Sequence, residues 1–309
     1  MKLVYFSIVI PLYNKSLYIE KTLNSIINQK YQNYEVLIVN DGSTDNSKEV
    51  VEDFIEKLDL VVKIKFKLLN KSNSGVSSTR NYGVKHSAYD YMAFLDADDY
   101  WEENHLLNFV NLIDKYSDKV DMFTNASKQL QNGRFIFPKL SVYSKYIGIV
   151  DYFKVSLISN GFIHTSSVCV KKDVMNNNLF PLGMKNFEDM ITWARIANNK
   201  GFAFSSERTS IYVIENSEAS AHIDFENYLR YEKLLKTIKY NSILLKIYSL
   251  KFLLLHVLYA RKHMELYNYI RNSSKIFGKS FIISSCLLIG LLFPKSLLNV
   301  LKNSRKSIK

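Results

Sequence analysis

Tyr91-Met92-Ala93-Phe94-Leu95-Asp96-Ala97-Asp98-Asp99-Tyr100-Trp101 starts as a run of strand-forming residues and ends in three carboxylates within four positions. Carboxylates next to a core are costly unless something cationic compensates them. In an open α/β sheet the carboxyl ends of the strands face the ligand crevice, so Asp96 and Asp98 are expected at the mouth of a cleft. A hard divalent cation, Mg²⁺ or Mn²⁺, takes few protein carboxylates and completes its shell with water and phosphate oxygens, and an Asp-x-Asp pair leaves room for that. The stretch then reads as the seat of a metal-held diphosphate. A second reading is a plain strand end followed by a helix beginning near Glu102, with Asp98 or Asp99 as its cap. The motif alone does not separate the two.

Outward from this stretch, the preceding residues alternate strand and helix. Residues 4–10 and 35–39 are β-branched and strand-like, and Leu17, Ile19, Leu23, Ile26 and Ile27 recur near helical spacing between them. A turn-rich Asn40-Asp41-Gly42-Ser43-Thr44-Asp45 precedes a second helix through about residue 58. A strand over 61–69, a loop over 70–75 and a helix through residue 87 then lead to the strand that ends at Asp96. This order predicts βαβ units and a mostly parallel sheet. No Gly-x-Gly-x-x-Gly follows the first strand, which removes the main support for a dinucleotide oxidoreductase.

The motifs, in this order, resemble those of glycosyltransferase family 2. Ser25 to Gln29 followed by Tyr34 to Asp45 is similar to the family's Gln, strand and Asp-Asp-Gly-Ser-x-Asp wording. Asn73 to Asn81 resembles its Gly-x-x-x-x-Arg-Asn segment, and Leu95 to Asp99 its Asp-x-Asp motif. The resemblance is specific over roughly residues 5–101, returns around 186–197 and fades beyond about 220. It implies a GT-A fold, a Rossmann-like mixed and mostly parallel sheet flanked by helices, and a nucleotide-diphospho-sugar donor. By that resemblance Pro11, Tyr13, Asp41, Arg80, Asp96 and Ala97 are expected to hold the donor, with Asp96 and Asp98 on Mn²⁺ or Mg²⁺. Tyr13 would stack on a base, or else be an ordinary loop tyrosine. Asp41 would accept the uracil imide hydrogen, or else make an Asx-turn over Gly42 and Ser43. Arg80 would reach the base or the diphosphate, or else form an ion pair. Asn40 stands where the family usually has Asp.

The second chemical centre is the run from Asn186 to Ala197, which opens on Glu188-Asp189 and continues as a helix. Acids in a first helical turn suit the helix dipole, which is reason enough for them structurally. Inverting sugar transfer also needs one carboxylate to take the proton of the attacking hydroxyl. The family's Glu-Asp motif assigns that to Asp189. Trp193 would either position an acceptor sugar or belong to the core. His164 and Thr165 are candidates for the acceptor site. The position where many relatives carry a metal-binding His holds Glu215, with His222 farther on, which leaves a third ligand undecided.

Between these centres, Leu106, Phe109, Val110 and Ile113 make one apolar helix face and Asn132-Gly133 marks a hairpin turn. With 309 residues and 47% hydrophobic content the chain can bury a sizeable core. Cys169 and Cys286 do not form a disulfide or zinc pattern, so a reducing compartment is expected. The apolar residues 3–12 contain Pro11 and read as a first strand, not a leader.

The net charge of +12 is segregated: residues 233–309 hold fifteen Lys or Arg against one acid, Glu265, leaving −2 for residues 1–232. That segment reads as helical, and its thirteen-residue apolar run over 281–293 falls short of the about 20 needed to span a bilayer. An interfacial segment with lysines on anionic lipid is one reading, and a packed or dimerising bundle is the other. Nucleic-acid binding lacks any supporting arrangement of aromatics or helix-turn-helix signature. The expected organisation is a catalytic domain over 1–222, with a nucleotide-sugar half to about 101 and an acceptor half after it, followed by a helical region over 223–309. The expected protein is an inverting, metal-dependent transferase using a UDP-sugar and a saccharide or lipid-linked saccharide acceptor, at the inner face of the cell membrane. A non-catalytic nucleotide-sugar-binding or membrane-docking module is the alternative.

Overall fold

Strand β1, Phe6–Leu12, is buried on both faces except at Pro11, as the near-continuous apolar run requires of a central parallel strand. Helix α1, Ile19–Ile27, buries Ile19, Leu23 and Ile26, which share one face, and returns the chain to β2, Tyr34–Asn40. Helix α2, Ser47–Glu56, a short α3, Leu60–Lys63, and β3, Phe66–Asn70, follow. Helix α4, Val76–His86, then crosses to β4, Tyr91–Phe94. The next run of elements contains β5, Tyr100–Trp101, α5, His105–Tyr116, β6, Met122–Gln131, β7, Arg134–Ile136, β8, Ile147–Val150, and α6, Tyr152–Ile158. It ends with β9, Val168–Lys171, α7, Lys172–Asn176, α8, Glu188–Ile196, and the long β10, Phe202–Ile214. This computed structural model describes residues 3–140, 142–158, 163–184, 186–198, 200–214, 234, 237 and 238. The chain divides into two units, Met1–Tyr240 and Asn241–Lys309. The second unit, Glu215, His222 and the basic tail behind the membrane and dimer expectations lie outside the described residues.

One sheet runs in the order β3-β2-β1-β4-β9-β6-β10-β5, with β7 on β6 and β8 on β10. Strands β1 to β4 pair in parallel, whereas β9 enters antiparallel between β4 and β6. The chain leaves β1 toward β2 on one side and comes back to pair β4 on the other, so the switch point lies between β1 and β4. A ligand crevice belongs outside the carboxyl ends of those two strands, where Tyr13 and Asp96 follow. The predicted face of α5 is fully interior: Leu106, Phe109, Val110 and Ile113 have no exposed surface. The hairpin turn is as read, with Asn132 at φ +50° and Gly133 at φ +73°.

Two local readings are corrected. The strand expected over 61–69 begins only at Phe66, and Leu60–Lys63 is a helical turn with Lys63 N–H on the Asp59 carbonyl at 2.7 Å. Pairing with β2 starts at Val36↔Phe66, so residues 60–64 have no ladder to join and satisfy their backbone locally. Helix α5 starts at His105 behind Asn104, so neither Asp98 nor Asp99 caps it. Among the described residues no helix is long and apolar enough to cross a membrane.

Helix α4 lies so close to the sheet that a Cβ on Gly83 would come 2.5 Å from Val9 Cγ1 and 3.1 Å from Cγ2. Gly83→Ala is therefore expected to destabilise by about 1–3 kcal/mol through overpacking, beyond the roughly 1 kcal/mol that Ala gains in helix propensity. A melting temperature equal to or above that of the parent would show that α4 can move off β1.

Candidate active site

The first loop after β1 is tied to the loop after β2. Asn14 Oδ1 accepts the Thr44 N–H at 2.8 Å, and Asn14 N–H donates to Ser43 Oγ at 3.2 Å. Tyr13, beside this staple, is 46% exposed. The turn over Gly42 and Ser43 is made by Asn40, whose Oδ1 accepts the Ser43 N–H at 3.0 Å. Asp41 turns elsewhere: its carboxylate accepts the N–H groups of Ser74 at 3.0 Å and Gly75 at 2.9 Å and pairs with the Lys71 ammonium. It thereby fixes the loop that starts α4. Gly75 sits at φ +88° with open space around it, so the left-handed backbone, not a close contact, calls for glycine. Pro11 pairs in register with Val39 inside β1, and Ala97 is buried with its carbonyl accepting the Thr22 hydroxyl at 2.9 Å.

The three carboxylates diverge. Asp98 points to Lys15, Oδ2 to Nζ 2.5 Å. Asp99 is buried; Ser166 Oγ–H donates to its Oδ2 at 2.5 Å and the Val213 N–H to its Oδ1 at 3.0 Å. Asp96 N–H donates to Ser166 Oγ at 3.1 Å, so one serine orients two of the three acids. Burial, and after it the charges of Asp96 and Asp98, push the Asp99 carboxyl well above the usual range. Burial also opposes ionisation of Asp96, but the Arg80 guanidinium holds its carboxyl below the usual value.

Asp96, Asp99 and His164 each offer a ligand atom within 4.8 Å of the others. His164 Nδ1 is buried without a hydrogen bond, 3.5 Å from Asp99 Oδ2, and burial keeps its imidazole in the neutral form that binds metals. Oxygen donors with one imidazole, a carboxylate lifted by its neighbours' charge and an unpartnered ring nitrogen fit a divalent cation such as Mn²⁺ or Mg²⁺. Asp98 adjoins this group on the Lys15 side.

The second acidic centre converges on the first through Arg80. Its guanidinium, 5% exposed, donates from Nη2 to Asp96 Oδ1 at 2.7 Å and from Nη1 to Glu188 Oε1 at 3.0 Å. Glu188 is pushed up to about 7 by burial and then by Asp189, against the pull of Arg80. Asp189, in the first turn of α8, accepts the Thr165 hydroxyl on Oδ2 at 3.0 Å and its neighbour Met190's N–H on Oδ1 at 2.7 Å. Thr165 and Ser166 belong to one turn, Thr165–Ser167, whose position is set by Trp101 Nε1–H on the Ser166 carbonyl at 2.6 Å. This turn therefore orients Asp189 with one residue and the Asp96–Asp99 pair with the next. Trp193 is core: it is buried against Phe94 at 5.6 Å and Phe180 at 5.3 Å between ring centroids.

Sequence reading passed over Lys15 and Ser166. Nothing in a Ser-Ser-Val strand start marks Ser166, because its partners are about seventy positions upstream. Only the structure shows that Thr165, Ser166 and Ser167 are all buried, which is unusual for polar side chains.

A cavity of about 210 Å³ adjoins Asp98 and Asp99, lined also by Leu17, Lys21, Tyr100, Leu130 and Val213. The site thus brings together a cluster of Asp96, Asp99 and His164 at the switch point, the acids Glu188 and Asp189 joined to it through Arg80, and a pocket beside Asp98 and Asp99.

The chain is similar to several known proteins. Over 220 residues the chain is 30% identical to the minor teichoic acid biosynthesis protein GgaB of Bacillus subtilis, covering 70% of this chain and 24% of GgaB. The chain thus spans about a quarter of that relative's length. It is 29% identical over 214 residues to WfgD of Escherichia coli, a UDP-Glc:alpha-D-GlcNAc-diphosphoundecaprenol beta-1,3-glucosyltransferase, covering 66% of this chain and 77% of WfgD. Among solved structures, residues 1–349 of S. aureus TarS in complex with UDP-GlcNAc superpose with a TM-score of 0.67 at 20% identity, over 93% of this chain and 79% of that one. At that identity the likeness establishes the GT-A fold. The model of glycosyl transferase family 2 matches residues 7–172, more than half of the 309, and the chain belongs to that family.

Proposed function

We propose that this chain transfers a sugar, with inversion, from a nucleotide-diphospho-sugar to a saccharide or lipid-linked saccharide acceptor of a cell-surface polymer. The observation that carries this reading is Arg80, which clamps Asp96 of the donor cluster and Glu188 next to Asp189, setting the two acidic centres side by side. In this reading Asp189 takes the proton of the acceptor hydroxyl as its oxygen bonds to the anomeric carbon. The bond from that carbon to the diphosphate oxygen breaks, and its electron pair leaves with the nucleoside diphosphate. Thr165 orients the carboxylate for that transfer. Tyr13 and Asp41 flank the base. Uridine is the favoured base, in keeping with the UDP-GlcNAc of the TarS complex and the UDP-Glc of WfgD. Asp96, Asp98, Asp99 and His164 are the residues that would hold Mn²⁺ or Mg²⁺, which when bound stabilises the negative charge of the departing diphosphate. The catalytic domain is taken as residues 1–222, with 1–101 serving the donor. The acceptor class rests on the two bacterial relatives, one named for teichoic acid biosynthesis and one for a diphosphoundecaprenol substrate.

The test is a thermal-shift series of nucleotide-sugars with and without Mn²⁺, since a ligand at 100 times its Kd stabilises by about 2.7 kcal/mol. A UDP-sugar with Mn²⁺ should raise the melting temperature most, and Asp98→Ala should remove most of the Mn²⁺-dependent part. Equal shifts for UDP-, GDP- and dTDP-sugars would overturn the uridine assignment. An undiminished Mn²⁺ effect in Asp98→Ala would take that residue out of the cation's reach.

A further inference from the structure

From Gly133 onward the β6–β7 hairpin exposes Arg134, Phe135, Ile136, Phe137 and Lys139, and no acid occurs between Asp121 and Asp151. Phe135, Ile136 and Phe137 are 46%, 42% and 62% exposed. Three consecutive large apolar side chains in water, flanked by the exposed cations Arg134 and Lys139 with no acid in the hairpin itself, are a liability that a soluble surface normally avoids. The hairpin is also firmly built. Lys128 Nζ lies 4.4 Å from the centroid of the Phe135 ring, and Arg208 donates to the carbonyls of Ser127 and Pro138, each at 2.6 Å. The rings are thus presented on a braced strand pair.

We propose that this hairpin docks on the anionic surface of a lipid bilayer, Phe135, Ile136 and Phe137 entering the headgroup boundary and Arg134 and Lys139 meeting the acidic headgroups, while Lys128, paired with Glu102 at 2.6 Å, braces the Phe135 ring. Charge selects this occupant. A second copy packed face to face about a two-fold axis would set each cation against its own image, with no acid in the segment to relieve it. A bilayer with acidic lipids uses both features at once, shallow apolar insertion and cation attraction, neither of which suffices alone. Position fits as well. Phe135 pairs across the strands with Leu130, and Leu130 lines the cavity beside Asp98 and Asp99. The docked edge therefore continues into the mouth of the site, where an acceptor anchored in the same bilayer would enter. Binding to lipid by this hairpin does not require that the transfer reading hold.

The experiment is cosedimentation of the full chain, without donor, on vesicles of phosphatidylcholine with 30 mol% phosphatidylglycerol and on vesicles of phosphatidylcholine alone. The parent should partition to the acidic vesicles in a salt-sensitive way. Phe135→Ser with Phe137→Ser should lower that partitioning at least tenfold, and Arg134→Glu with Lys139→Glu should lower it on acidic vesicles specifically. Phe137→Trp, which keeps the ring, should bind as the parent does and shift its emission to the blue on acidic vesicles, guarding against a folding artefact in the serine variant. Unchanged partitioning in both double variants would overturn the proposal and assign lipid binding elsewhere in the chain. No Trp blue shift, or a concentration-dependent dimer lost on the same substitutions, would overturn it too. UDP release from a UDP-sugar, assayed on the same variants without vesicles, reads the transferase separately and should match the parent.

Discussion

Asp189→Asn should leave donor binding intact and lower kcat by about 10²–10⁴-fold, the usual contribution of a positioned general base. The substitution keeps the size of the side chain and a carbonyl oxygen able to accept the Thr165 hydroxyl, now at 3.0 Å from Oδ2. What it removes is the group that takes a proton. The loss is therefore expected in kcat, with KM for the nucleotide-sugar close to the parent value, because an interaction used only as the hydroxyl attacks adds nothing to ground-state binding. Donor-induced thermal shifts should be as large as in the parent. Transfer at the parent rate would remove Asp189 from the chemistry, and a lost thermal shift with a risen KM would recast it as a donor ligand.

The organisation behind this prediction was only partly legible in the sequence. The βαβ order, the α5 face and the Asn132-Gly133 turn follow from local chemistry: apolar spacing, β-branching and two residues that tolerate positive φ. Residues 61–64 were misread because β-branching reports fitness for a pleated neighbour, and at that sheet edge no neighbour is present. The insertion of β9 between β4 and β6 was not legible at all, since antiparallel pairing across about eighty positions leaves no periodic mark. The site behaves likewise. Asp96, Asp98 and Asp189 stand in motifs. The groups that aim the acids, Lys15 on Asp98, Ser166 on Asp96 and Asp99, and Thr165 on Asp189, are common polar residues that gain meaning only when the sheet brings them together. Asp41 is an intermediate case: its place at a strand end was readable, but its use as anchor of the 74–75 backbone was not.

Arg80 is where the largest loss of stability is expected. Its side chain is 5% exposed and joins Asp96 and Glu188, themselves 24% and 10% exposed. Arg80→Met keeps much of the volume and withdraws the charge, leaving two carboxylates that share no cation. Breaking a buried pair from one side costs about 3–5 kcal/mol, and at roughly 2–4 °C per kcal/mol for a domain of this size the melting temperature should fall by about 6–20 °C. The alternative, that Arg80 is a surface ion pair, predicts a change of about 0–1 kcal/mol, so the two are easily told apart. Glu188 shows how the cost is distributed: burial and Asp189 already push its carboxyl up to about 7, and Arg80 is the main influence in the other direction. Without Arg80 it moves further up and takes a proton, whereas Asp96 loses the largest influence that holds its carboxyl low. Adding Glu188→Gln to Arg80→Met should then restore only the share owed to Glu188, a coupling of about 0.5–3 kcal/mol in a double-mutant cycle. Arg80→Lys keeps the charge but has no fork to span both acids, and should fall between the two. If Arg80→Met melted within a degree of the parent, the clamp between the donor cluster and the helix of Asp189 would not be holding the site together, and the convergence of the two acidic centres would need another cause.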